Sequence, residues 1–176
     1  MRTHEDTCET VTSAADAILA QCESLLLEVP NTVYCAESMT IRGGTIGKHL
    51  RHTLDHFAAA TQDGAEVIDY DHRERDVPLE TDRAAAMQTV AGLRARMQSL
   101  AMTPAATAVR IRVMVCSDGR CAELTSTLAR EIAFATHHAI HHQAMMRAIA
   151  GEFGIDVNEG FGKAPSTLNH EQHRSR

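Results

Sequence analysis

Thr45-Ile46-Gly47-Lys48-His49-Leu50-Arg51-His52-Thr53-Leu54-Asp55-His56-Phe57 and His137-His138-Ala139-Ile140-His141-His142 hold seven of the eleven histidines of this 176-residue sequence. Both stretches read as helix. His52/His56, His137/His141 and His138/His142 are spaced i, i+4, which stacks two imidazoles on one helical face, about one turn apart. His49, His52 and His56 fall at i, i+3 and i+7, beside an apolar stripe of Ile46, Leu50, Thr53/Leu54 and Phe57. Two such helices facing each other predict a divalent transition-metal site.

Working outward, the first histidine helix starts near Thr45, a good N-cap residue, and runs to about residue 62, where Asp63-Gly64 ends it. Before it, residues 7–28 read as a helix, with Ala14, Ala17, Ile18, Leu25 and Val29 at helical intervals. Pro30-Asn31 stops that helix, and residues 30–44 read as a loop carrying Tyr34, Cys35 and Ser38. Residues 64–80 are charged and irregular, a long connection of the kind that often carries function. A third helix is expected over 79–100. Val109, Ile111, Val113 and Val115 then alternate with polar or flexible residues, a strand pattern. Ser117-Asp118-Gly119-Arg120 is a turn signal, with a short return strand over 121–124, so that Cys116 and Cys121 face across the turn as reduced thiols. The last long helix spans about 126–152, its buried side marked by Leu128, Ile132, Ala135, Ala139, Met146 and Ile149. The end is polar and reads as a flexible tail from about 168.

The expected architecture is therefore all-α: one domain over 1–176, a four-helix bundle with a small β-hairpin insert before the last helix. Metal sites in bundles are built from side chains on facing helices. Length and composition agree. The chain is long enough to bury a core without disulfides. With four Phe, two Tyr and no Trp, that core must be mostly aliphatic.

The formal net charge of −6 argues against nucleic acid, whose phosphates need a basic surface. The polar, acidic opening Met1-Arg2-Thr3-His4-Glu5-Asp6 predicts no signal peptide, and no run reaches the ~18 apolar residues of a membrane span. Cys8, Cys22, Cys35, Cys116 and Cys121 are scattered, with no CxxC pair, which fits a reducing cytoplasm.

Neutral imidazole is the commonest transition-metal ligand. Three imidazoles with an open position can bind water or a thiolate and make it a nucleophile near neutral pH. Ligand type admits Zn, Ni, Fe or Co. His137 and His138 are about 100° apart around their helix, so only one of the pairs His137/His141 and His138/His142 points inward. Alanine flanks both, and periodicity leaves the choice open. His56, Asp55 and Glu131 are the nearest candidates for a fourth ligand.

The segments Thr45–Phe57 and Arg130-Glu131-Ile132-Ala133-Phe134, with His138-Ala139-Ile140-His141-His142, resemble the second-helix and last-helix motifs of the DinB-like family, also called DinB/YfiT-like. Asp69-Tyr70-Asp71-His72-Arg73-Glu74-Arg75-Asp76 and Phe161-Gly162-Lys163-Ala164-Pro165-Ser166-Thr167 resemble segments of one proteobacterial branch. The resemblance implies a four-helix bundle of the DinB/YfiT-like type, often dimeric, with the metal on His52, His138 and His142. His56 and His141 are then candidates for supporting contacts. Some members are transferases that use low-molecular-weight thiols. In the sulfoxide-synthase relatives a Glu follows the last histidine pair where this chain has Ala144.

The functional expectation is a metal-binding protein that activates a thiol or water, S-transferase-like, with Zn, Ni or Fe as cofactor. Arg73 and Arg75 are candidates to hold the carboxylates of a small thiol ligand. A homodimer is expected, with neither nucleic acid nor membrane as partner and no catalytic residue assigned. The alternative is a non-catalytic metal-binding stress-response bundle.

Overall fold

The computed structural model describes residues 6–64, 67–71 and 78–174. The chain runs through α1 (Glu9–Glu28), α2 (Asn31–Tyr34), α3 (Ile46–Ala60), β1 (Ile68–Asp69), α4 (Arg83–Leu100), β2 (Ala108–Met114), β3 (Cys121–Thr127), α5 (Leu128–Glu152) and α6 (Pro165–Arg174). A single 3-10 turn, Pro78–Glu80, precedes α4. No described helix is long and apolar enough to cross a membrane.

This corrects the all-α expectation. Among the described residues there are six α-helices and a three-stranded mixed sheet of order β1-β2-β3. The hairpin β2–β3 pairs antiparallel from Ala108↔Thr127 to Met114↔Cys121, longer on its return side than the turn signal suggests. The third strand comes from the charged connection: β1 lies parallel to β2, with Ile68↔Ile111 and Asp69↔Arg112 paired. Two residues carry no readable period, so such a strand is visible only through its partner. The class is mixed α and β, not a four-helix bundle with an insert. Helices α2 and α6 lie in stretches read as loop and tail.

The long helices begin where hydrogen-bond chemistry requires. Thr45 Oγ1 accepts from the Lys48 amide at 3.0 Å, Asp82 from Ala84 and Ala85 at 2.8 and 3.2 Å, and Thr127 from Arg130 at 3.3 Å. Each satisfies orphan donors of a first turn. Helix α3 packs on α5 and α4, and α1 on α4 and α5. The α1 stripe is rotated from the expected one. Its buried line is Ala15, Leu19, Cys22 and Leu26, while Ala14 and Ala17 face outward. Alanine fits either side of a helix, and a free cysteine buries like a small hydrophobe. Arg94 bridges α4 to Asp16 and Glu23 of α1, at 2.8 and 2.6 Å.

Two close approaches frame the ends of α3 and α5. At Gly47 a methyl group would collide with the Glu80 carbonyl and the ring of Tyr34, so the first turn of α3 rests directly on the 3-10 turn. At Gly162, with φ +74°, a Cβ would lie 2.5 Å from the Ala144 amide nitrogen, so the tail loop lies on the backbone just past His142. Fully buried Gln143 reinforces this, donating to the Ile18 carbonyl at 3.1 Å and accepting from the Gly162 amide at 3.3 Å.

Gly47→Ala should therefore lower stability by about 1–3 kcal/mol through overpacking against backbone. Gly92→Ala, in α4 with nothing within 4 Å of the new methyl, should raise it by about 0.5–1 kcal/mol. Urea denaturation of the two variants checks both signs.

Candidate metal centre

The apolar stripe of α3 turns Leu50, Leu54 and Phe57 into the core and leaves His49, His52 and His56 along the seam with α5. Helix α5 buries Ile132, Ala135, Ala139 and Met146, and its partly buried flank brings His138 and His142 to the same seam. Ligand atoms of His52, His138 and His142 lie within 4.8 Å of one another. The tertiary structure thereby selects the inner pair that periodicity left open. His137 and His141 are exposed, His141 at the rim with its ring 5.4 Å from that of His142.

Two imidazole–imidazole hydrogen bonds join the helices. Nε2 of His138 and Nε2 of His52 are 2.8 Å apart, and Nδ1 of His49 and Nδ1 of His142 are 3.0 Å apart. In each pair one nitrogen donates and the other accepts, so both rings must be neutral or share a single proton. Burial, then the neighbouring imidazoles His138, His49, His141 and His56, push His142 down to about 3. Burial, then His141, lowers His49 as well. These rings stay neutral at neutral pH, the form that binds metal.

The donor set fits a transition-metal ion. Three imidazoles converge, and at a Zn–N bond of about 2.0–2.1 Å tetrahedral geometry separates neighbouring nitrogens by about 3.3 Å. His52, His138 and His142 would hold such an ion, in place of the proton that His52 and His138 share. His49 Nδ1 is placed to hold His142 by its other ring nitrogen, the support that metal-ligating histidines usually have. His49 Nε2 is buried with no hydrogen-bond partner among the described residues, packed beside Gly44.

The fourth-ligand candidates are otherwise engaged. Asp55 pairs with Arg51 at 3.2 Å. Glu131, completely buried, accepts from the Tyr70 hydroxyl at 2.6 Å, from Arg130 Nη1 at 2.8 Å and from Ser126 Oγ. His56 Nδ1–H donates to the His52 carbonyl at 2.9 Å, and its ring stacks on His138 at 4.1 Å. Among the described residues no fourth His, Cys, Asp or Glu joins the cluster. Arg73 and Arg75 lie outside the described residues.

Several residues of the centre escape sequence reasoning. Tyr70 stacks on His56 at 5.3 Å and 19°, and Phe134 stacks on His138 at 5.9 Å and 22°. Arg130 lies over the Phe134 ring at 5.2 Å. Glu131 and Phe134 had a signal, seven and four residues before His138 on the same helical flank. Tyr70 stood only inside a segment that carried the resemblance, with no local pattern tying it to the histidines, because the sheet is what brings it here.

No family model and no solved structure matches the chain. One curated protein is similar: FK506-binding protein 5 of Rhizopus delemar, 34% identical over 105 residues. That stretch is 59% of this chain and 27% of the relative, so the chain spans about a quarter of that protein's length.

Burial alone would raise the Glu131 carboxyl, but hydrogen bonds from Ser126, Tyr70 and Arg130 hold it below its ordinary value of 4.5. A carboxyl depressed in the folded state contributes stability that is complete above its unfolded value and lost as pH falls through the folded one. Glu131→Gln should therefore cost about 1–3 kcal/mol at neutral pH. The gap from wild type should close as the pH is lowered below 4.5. Denaturation midpoints measured from pH 7 to pH 3 check the trend.

Proposed function

We propose that the protein binds a divalent transition-metal ion, Zn, Ni or Fe, through His52, His138 and His142, and uses it to activate a low-molecular-weight thiol or a water molecule in S-transferase-like chemistry. The observation that carries this reading is the convergence of three imidazole nitrogens within 4.8 Å, with His142 held neutral by burial. The same three histidines are those implied by the resemblance to the DinB-like family, which supports the reading from sequence.

When bound, the ion supplies Lewis acidity that turns a thiol or water into a nucleophile near neutral pH. The chain's own residues do the rest. His49 orients His142, His56 and Phe134 both pack on the His138 ring, and α3 and α5 fix the spacing. With no fourth protein ligand among the described residues, a coordination position is left for substrate, the pattern of catalytic rather than structural zinc sites. The five free cysteines support a reducing, cytoplasmic setting. The homodimer is part of the same reading and rests on the resemblance alone.

A second reading, a non-catalytic metal-binding stress-response protein, is favoured by one observation: the imidazole contacts bridge α3 and α5, so an ion there would cross-link two core helices.

Titration of metal-free protein with zinc, nickel or iron(II) should give one tight equivalent, lost in His52→Ala, His138→Ala and His142→Ala. Cobalt(II) in the site should change its visible spectrum on addition of a small thiol, and the loaded protein should conjugate that thiol to an electrophile. Failure of the wild type to bind any of these ions would end the metal reading. Tight binding without thiol response or conjugation, together with a fold that melts on chelation, would leave the cross-link.

A further inference from the structure

We infer that Tyr70, carried to the centre by the sheet and fastened by the buried Glu131, is a positioning residue for the histidine ligands. The inference rests on the metal reading above and adds a residue that the reading does not need.

The geometry is a continuous stack. The His138 ring lies on His56 at 4.1 Å and 28°, and His56 lies on Tyr70 at 5.3 Å and 19°. Phe134 closes the assembly, meeting Tyr70 edge-on at 5.4 Å and 64° and covering His138 from another side. His138 thus packs against two rings that also neighbour each other at 6.1 Å, and one of them, His56, is itself backed by Tyr70. The far end of Tyr70 is anchored by its hydroxyl, 2.6 Å from Glu131 Oε2, on the same helix as His138 and two turns earlier.

The backbone of Tyr70 is fixed from the sheet side. It directly follows β1, whose pairing with β2 sets Ile68 and Asp69 in register with Ile111 and Arg112. On its other side Asp71 accepts from the Met114 amide at 2.5 Å, and the Asp71 amide donates to Asp69 Oδ1 at 2.9 Å. Tyr70 is therefore pinned at backbone, ring and hydroxyl. The ring it backs is in turn pinned, through Nδ1, to the carbonyl of His52, another proposed ligand.

Stability does not account for this arrangement. A carboxylate with no exposed surface, whose one cationic partner among the described residues is Arg130 at 58% exposure, is an expensive way to fill a core. An apolar replacement of similar volume is often neutral or stabilising. A phenylalanine would supply the ring without the hydroxyl. What the hydroxyl and carboxylate add is direction: they fix where the Tyr70 ring lies along α5, and so the plane against which His56 and His138 settle. Partners that orient a ligating histidine typically change metal affinity by about 10–100-fold when removed.

Three variants of the full chain test this: Tyr70→Phe, Glu131→Gln and Ser126→Ala. Ser126→Ala also removes a donor from Glu131 but leaves the tyrosine tether in place. Tyr70→Phe and Glu131→Gln should each weaken cobalt(II) binding about tenfold and shift the visible spectrum of the bound ion. The double variant should lose no more than either single one, because the pair acts as a unit. Ser126→Ala should keep the wild-type spectrum. In metal-free protein, nitrogen-15 NMR of the imidazoles should report a changed His52–His138 hydrogen bond in Tyr70→Phe and an unchanged one in Ser126→Ala. Folded Tyr70→Phe with wild-type affinity, spectrum and imidazole signals would overturn the inference. Equal shifts in all three variants would overturn it too, reducing Tyr70 to packing. If the wild type binds no ion, the metal reading fails, and the metal-free signals still decide the role of Tyr70.

Discussion

Five imidazoles meet where α3 packs on α5, and two nitrogen-to-nitrogen hydrogen bonds among them hold that contact together. Two pairs face each other nitrogen to nitrogen, so each pair needs one donor and one acceptor. A proton added to the accepting ring of a pair would turn its acceptor nitrogen into a second donor. Burial opposes this in the His49–His142 pair, where His142 is pushed down to about 3 and His49 is lowered as well. The property that lets the helices close is the one that leaves lone pairs available for a metal. Packing and ligand chemistry are thus the same constraint seen from two sides.

The rest of the molecule serves that seam. Gly47 lets α3 settle on the 3-10 turn, and Gly162 lets the tail loop lie against α5 beside His142. Buried Gln143 joins α5 to α1 and to that loop. Strand β3 runs straight into α5 through the Thr127 cap, so the hairpin sets where α5 begins. The sheet is the departure from an all-helical fold, and it delivers Tyr70 to the histidine stack.

Most of the helical frame was legible in the sequence. Helix α3 announces itself through the capping Thr45, and both α3 and α5 through apolar residues at helical spacing, which are local signals. The hairpin was legible for the same reason, as alternation followed by Asp-Gly. Strand β1 was not, because two residues have no period and acquire strand character only from β2. The outward turn of Ala14 and Ala17 on α1 was equally hidden, since alanine is indifferent to burial. At the site, helical spacing exposed the paired histidines. It could not reveal that Glu131 is consumed by Tyr70, Ser126 and Arg130, because two of those partners lie on other elements.

By itself the sequence determined that histidines are concentrated on two helices at ligand spacing, because helical periodicity is a property of neighbours along the chain. Only the tertiary structure decided that His138 and His142 face His52 while His137 and His141 face outward. It alone decided that His49 reaches His142 and that Tyr70 backs the stack. The two pairs on α5 differ by a single residue step, and alanine flanks both. Nothing local separates them. The rotation of α5 is set by its whole buried stripe, Ile132 to Ile149, against α1 and α3. That rotation is a sum over many distant contacts, which a reading of neighbouring residues cannot contain.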